Sequence, residues 1–163
     1  MKKWNVLIAL SFVLVLCACG GQPEEENPEI PAGGDASVST DWTFDVRAKQ
    51  SGEMLEVEMD VINQSDEQQT LVFPSSQEYE LVLKNEEGEE VFRYSENHMF
   101  AQVIVERQFE PGEQIELQKE RIPVGDLPSG HYTLTAELAV SKETIEAQGD
   151  DNPFVQTVEV EIE

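Results

Sequence analysis

The side chains best suited to chemistry are few. The chain has two histidines, His98 and His131, two cysteines, Cys17 and Cys19, and an excess of acids, 34 Asp and Glu against 10 Lys and Arg. The histidines sit in no spaced ligand pair, and neither an HExxH pattern, an EF-hand spacing nor a phosphate-cradling glycine motif occurs. His98-Met99 offers an imidazole beside a thioether, both copper ligands, but a lone pair is a weak site. The residues read more simply as a polar turn at His98 and the start of a strand at Met99-Phe100. No GxSxG or SxxK pattern marks a serine nucleophile. Glu56, Glu58 and Asp60 alternate and project from one face of a strand, most simply its wet face. Asp150-Asp151-Asn152 clusters hard oxygen ligands without calcium-loop spacing. The expectation is a protein without catalytic residues, metal or cofactor.

The cysteines point elsewhere. Met1-Lys2-Lys3 is a basic head and Val6 to Leu16 is apolar but too short to span a bilayer as a helix. Leu16-Cys17-Ala18-Cys19 then has the form of a bacterial lipoprotein signal. Cys19 follows the small Ala18, whereas Cys17 follows the bulky Leu16, so Cys19 is the expected lipidation site and mature N-terminus. A plain secretory signal or a short anchor helix is the simpler alternative. Residues 1–18 are read as signal peptide. Fatty acyl chains such as palmitate on Cys19 would place the protein on the cell membrane, facing away from the cytoplasm. Two chains anchor stably where one does not. An alkylated Cys19 would leave no free thiol, which excludes disulfides, thiolate catalysis and cysteine zinc sites together.

Residues 19–40 carry Gly20-Gly21, Glu24-Glu25-Glu26, Gly33-Gly34 and three prolines with almost nothing apolar. They are expected to form a flexible acidic tether, with an end-to-end distance on the order of 25 Å. The formal charge is −24, and loss of Lys2 and Lys3 with the signal makes it more negative. Such a chain is repelled by nucleic acid and by anionic headgroups, so those partners are disfavoured and only the lipid holds it to the membrane.

From Trp42 the pattern has period two. Trp42, Phe44, Val46 and Ala48 alternate with polar residues, as do Leu55, Val57, Met59 and Val61. Asn63 to Asp66 turns into Gln69–Phe73, which Pro74 ends by withholding a ladder donor. Tyr79-Glu80-Leu81-Val82-Leu83, the turn Asn85 to Gly88, and Val91-Phe92-Arg93-Tyr94 read as a hairpin. Ser95 to His98 reads as a further turn, and a third run extends from Ala101 to Phe109. In it Val103-Ile104-Val105 is apolar on both sides and is expected in a central or loop-covered strand. Glu110-Pro111-Gly112-Glu113 is a turn before Ile115 and Leu117. Tyr132 after Pro128-Ser129-Gly130 admits two readings, a packed aromatic or a tyrosine corner whose hydroxyl caps a nearby backbone group. Val158, Val160 and Ile162 make the last strand. Eight or nine short strands at roughly 10-residue spacing, with few helices, predict an all-β antiparallel sandwich over residues 41–163.

The order of Asn63-Gln64-Ser65, Phe73, Gln77-x-Tyr79, the turn ending at Gly88, Val91-Phe92-Arg93-Tyr94-Ser95, Phe100, Pro111-Gly112-Glu113 and Pro128-x-Gly130-x-Tyr132 resembles the bacterial intracellular proteinase inhibitor family of BsuPI type. The resemblance runs from about Leu55 to Leu138. It departs from the family in two respects: the family often has Trp where Phe92 and Tyr94 stand, and Asp where Glu80 stands. It implies an immunoglobulin-like sandwich and a binding role named for protease inhibition.

Two functional classes follow. One is a membrane-anchored, non-enzymatic proteinase inhibitor, its partner a serine protease; the other is an adaptor or structural lipoprotein that binds another envelope component. A monomer is expected. Ser141 to Pro153 is long for a hairpin connection. Its Ser141, Lys142, Glu143, Asp150, Asp151 and Asn152 are therefore candidate binding residues, with a tolerated insertion as the alternative.

Overall fold

The computed structural model describes residues 41–150 and 152–163. Cys19 and the segments read from sequence as signal peptide and tether lie outside the described residues, as does Asp151.

The alternation predicted from Trp42 onward becomes a long hairpin. Strands β1 (Trp42–Ser51) and β2 (Met54–Asn63) pair antiparallel without a slip from Trp42↔Asn63 to Ser51↔Met54. Gly52 closes the turn at φ 63°, where a side chain would be strained. One face of both strands is buried: Trp42, Phe44 and Val46 on β1, and Leu55, Val57, Met59 and Val61 on β2. With period-two side chains, a slip of one residue would turn that whole set to water, which is what fixes the register.

Two short strands complete this sheet by pairing with different halves of β2: β7 (Gln114–Glu116) with Asp60–Ile62 and β8 (Glu120–Pro123) with Met54–Val57. The second sheet has the order β10-β9-β4-β5, formed by β4 (Tyr79–Lys84), β5 (Glu90–Arg93), β9 (Gly130–Leu138) and β10 (Val155–Ile162). Every pairing is antiparallel. Leu81, Leu83, Tyr132, Leu134, Ala136, Leu138, Val160 and Ile162 turn inward from it and join the β1–β2 face in one core. A separate ribbon pairs β3 (Gln69–Phe73) with β6 (Val105–Phe109) and adds Leu71, Phe73 and Phe109 to that core. The fold is an all-β antiparallel sandwich.

Ten strands form among the described residues rather than eight or nine, the addition being β8, too short to announce a period. Asn85 to Gly88 makes the expected turn, with Gly88 at φ 80° and the Asn85 side-chain oxygen accepting the Glu89 amide at 2.8 Å. Tyr132 satisfies both readings: it is buried, and its hydroxyl donates to the Pro128 carbonyl at 2.8 Å. The turn motifs Asn63-Gln64-Ser65 and Pro111-Gly112-Glu113 meet. Asn63 is fully buried, and its side-chain nitrogen donates to the carbonyls of Glu67, Phe109 and Glu110. Its backbone amide donates to Glu113 and its carbonyl accepts the Gly112 amide. One side chain thus ties the β2–β3 turn to the β6–β7 turn.

Three expectations are corrected. Asp60 does not belong to a wet face: it is 3% exposed, with β1 and β7 paired on either side of it and the side chains of Arg47 and Gln114 on its carboxylate. Burial alone would raise its pKa, but hydrogen bonds from Gln114 and Arg47, the latter at 2.5 Å, hold it below the ordinary carboxylate value. Met99-Phe100 does not begin a strand, and Val103-Ile104 is not in one. The β3–β6 ladder stops at Phe73↔Val105, and Pro74 follows. Residues 98–104 therefore have no partner strand and form a loop.

Candidate protein-binding loop

That loop carries the largest concentration of exposed apolar side chains among the described residues. Met99 is 100% exposed, Ile104 67% and Val103 52%. Three large apolar groups within six residues on so acidic a surface make this loop the candidate interaction site.

The loop is braced from below by the residues of the Gln77-x-Tyr79 and Arg93-Tyr94-Ser95 motifs. Tyr79 sits in β4 with its ring in the core, and its hydroxyl donates to Glu120 Oε1 of β8 at 2.5 Å. Burial and the adjacent carboxylate push its pKa far above the ordinary tyrosine value, so it is a neutral donor at all relevant pH. Tyr94 lies on Tyr79 with ring centroids 5.0 Å apart, and its own pKa is raised chiefly by burial. His98 stacks on Tyr94 at 3.9 Å and 24°, its Nδ1 2.8 Å from the Tyr94 carbonyl oxygen. Phe100 closes the group at 5.9 Å from Tyr94. A column of rings thus runs from the core to the base of the loop.

Polar contacts fix the same base. Residues Tyr94–Asn97 form a single 3-10 turn. Glu80 Oε1 accepts the Ser95 amide at 3.0 Å at the start of that turn, and Gln77 Nε2 donates to Glu80 Oε2 at 3.3 Å. Arg93 pairs bidentately with Glu90 at 2.8 and 2.6 Å and approaches Glu80 at 3.9 Å, a structural cation among carboxylates. On the far side, the Ala101 amide donates to Ser76 Oγ at 2.8 Å and the Ala101 carbonyl accepts the Ser76 amide at 3.0 Å. The chain leaves the turn extended at His98, with φ −128° and ψ 151°. His98 and Phe100 turn to the ring column and Met99 turns to solvent. Such an arrangement can present an apolar side chain on a pre-formed backbone.

The expected recognition loop, residues 141–153, is built differently. Its first part is a helix, α1 (Lys142–Glu146). Ser141 caps it, accepting the Thr144 amide at 3.2 Å. Lys142 pairs with Glu146 at 3.0 Å one turn on. Glu143 lies in the first turn, where a carboxylate suits the helix dipole. Asp150 is exposed, and Asn152 Oδ1 accepts the Phe154 amide at 3.1 Å. Ile145 packs against the core, and Phe154 is fully buried. Ser141, Lys142 and Asn152 thus have local structural roles. Among the described residues no three His, Cys, Asp or Glu side chains converge as a metal ion would require. His131 lies in β9 opposite Glu161, outside the His98 stack.

Reading period two from residue 101 onward missed the loop, although its signal is visible. Val103-Ile104-Val105 is apolar on both sides, but so are Leu71-Val72-Phe73 in β3 and Leu81-Val82-Leu83 in β4, so the signal is Pro74, which caps the length of the strand that pairs with β6.

Comparison with known proteins bears on family. No curated protein matches the chain. Solved structures with local likeness include β-glucosidase 3B from Thermotoga neapolitana, at 18% identity and TM-score 0.39, over 74% of this chain and 16% of that one. A β-glucuronidase from Bacteroides uniformis matches at 13% identity and TM-score 0.41, over 73% and 12%. A penta-heme cytochrome c552 from Thermochromatium tepidum matches at 12% identity and TM-score 0.41, over 75% and 40%. The chain spans less than a fifth of the glucosidase and the glucuronidase, and likenesses this small carry no functional argument. The intracellular proteinase inhibitor profile, BsuPI, matches residues 42–143, more than half of the sequence. Its span takes in the whole ring column and the loop above it, and the chain belongs to the BsuPI intracellular proteinase inhibitor family.

Proposed function

We propose that this protein is a membrane-anchored, non-enzymatic inhibitor that binds a serine protease through the loop of residues 98–104. The observation that carries the reading is the fully exposed Met99 between two anchors, the family-motif residue Tyr94 that holds His98 on one side and Ser76 that holds Ala101 on the other. An inhibitor needs no reactive group of its own. It needs an exposed segment complementary to the enzyme and already in its bound shape, because ordering a loose loop would cost affinity. About 1,600 Å² of total interface suffices for tight inhibition. A formal charge of −24 favours a basic partner and makes association faster at low salt.

Titration of the full chain against a panel of secreted serine proteases, at low and high ionic strength, tests this. Stoichiometric inhibition of at least one enzyme, with association slowed by salt, is expected. No inhibition at any dose, together with a stable crosslinked envelope partner, would replace the reading with an adaptor role.

The anchor in this proposal is Cys19, supported by the basic head, the short apolar run and the small residue preceding it. It places the inhibitor outside the cytoplasm, so its target is a protease of the envelope or beyond. Cys19→Ser is expected to move the protein from the membrane fraction to the soluble one, or to leave it unprocessed. Release by Cys17→Ser, with Cys19→Ser still processed and membrane-bound, would reassign the anchor.

A further inference from the structure

We infer that Met99 is the residue offered to the primary specificity pocket of the protease, and that the partner is a serine protease whose pocket is deep and apolar. The inference rests on the inhibitor reading above and adds to it the residue and the enzyme class. Three observations carry it. Side chains alternate along the extended segment: His98 stacks on Tyr94, Phe100 reaches the same ring, and Met99 between them is 100% exposed. Among the described residues the Met99 main chain forms no hydrogen bond, which leaves its N–H and C=O open to pair with an enzyme cleft as an added strand would. The segment contains no Lys or Arg from Tyr94 through Glu106, so a pocket with an acid at its base would find no cation to hold.

Chemistry then sets the class. Methionine is long, unbranched and apolar, so it enters an elongated apolar slot and is too long for the small pocket of an elastase-type enzyme. Val103 and Ile104, four and five residues further on, lie beyond the Ala101 anchor and extend the apolar contact on that side. Rigid support lets this short segment act as an inhibitor: the ring column holds its first residue and the Ser76 bonds hold Ala101, so the backbone need not reorder on binding.

The test compares the full chain with Met99→Ala, Met99→Asp and Met99→Lys against chymotrypsin, subtilisin and trypsin. Met99 touches nothing in the fold, so the variants are expected to melt with the parent, and thermal scans check this. The parent should inhibit chymotrypsin or subtilisin and leave trypsin active. Met99→Ala should weaken that inhibition at least about 30-fold, as truncation of a central anchor does. Met99→Asp should abolish it, and Met99→Lys should transfer inhibition to trypsin. If the parent inhibits and all three variants inhibit the same enzyme equally well, Met99 is not the pocket residue and this inference falls while the inhibitor reading stands. If the parent inhibits none of the three, nor any other serine protease of the panel, the inhibitor reading falls and takes this one with it.

Discussion

Phe154→Ala is expected to lower the stability of the domain by about 3–5 kcal/mol, the usual effect of emptying a fully buried aromatic site. Phe154 is 0% exposed and lies beyond the segment matched by the family profile. It packs on Trp42 at 6.1 Å between ring centroids, and Trp42 in turn meets Phe109 edge to face at 5.0 Å. The first residue of β1, the end of β6 and the entry to β10 therefore share one aromatic node. The Phe154 carbonyl also accepts the Leu138 amide at 2.9 Å, so a shift there is passed to β9. Marginal stability of small domains makes a loss of this size visible as a large fall in the denaturant midpoint. Urea titration followed by tryptophan fluorescence measures it; a change under 1 kcal/mol would show that the residues after β9 are not integral to the core.

Asp60→Asn is expected to cost about 2 kcal/mol at neutral pH, the scale of a charge-assisted hydrogen bond lost inside a fold. The amide can still accept from Arg47, but the guanidinium would keep only Asp45 and, at 3.6 Å, Glu58 as charged partners. The sign of the pH dependence follows from the direction of the shift. The Asp60 carboxyl titrates below its ordinary value of 3.8 in the folded chain, so its contribution is fully present above about pH 4. It is lost as pH falls through the folded pKa. The gap in unfolding free energy between parent and Asp60→Asn should therefore be wide at pH 7 and narrow at pH 3. Taking the difference between the two proteins at each pH removes the overall effect of discharging so acidic a chain. A gap of equal width at both pH values would mean that the Asp60–Arg47 pair contributes nothing through its charge.

What could be seen in the sequence depended on how local its cause was. The β1–β2 pair was legible because one buried face forces strict alternation in both strands, and the β4–β5 hairpin because Asn85 and Gly88 carry turn chemistry of their own. Burial of Asp60 is not legible locally because the strand beside it, β7, and the Gln114 side chain on its carboxylate come more than fifty residues further along the chain. Its own neighbours, Glu56 and Glu58, do face solvent. Helix α1 was missed because five residues are fewer than two turns and show no period; only the cap at Ser141 betrays it. The loop at Met99 was taken for strand because apolar residues predict burial only where a partner exists to bury them. Pro74 withholds that partner, and the consequence appears thirty residues later. The ring column was half legible. Gln77, Tyr79, Arg93, Tyr94, Ser95 and Phe100 were visible as a spaced motif, but nothing in their spacing shows that they converge beneath one exposed side chain.

In the proposed complex this domain meets its partner with the Met99 loop. Amide hydrogen exchange of the full chain, alone and saturated with a protease that it inhibits, tests this directly. Slowed exchange is expected at residues 99–104, where the main chain passes from solvent into an interface, with residues 142–150 unchanged. Protection confined to the helix and turn of residues 142–150, with residues 99–104 exchanging as in the free protein, would contradict it.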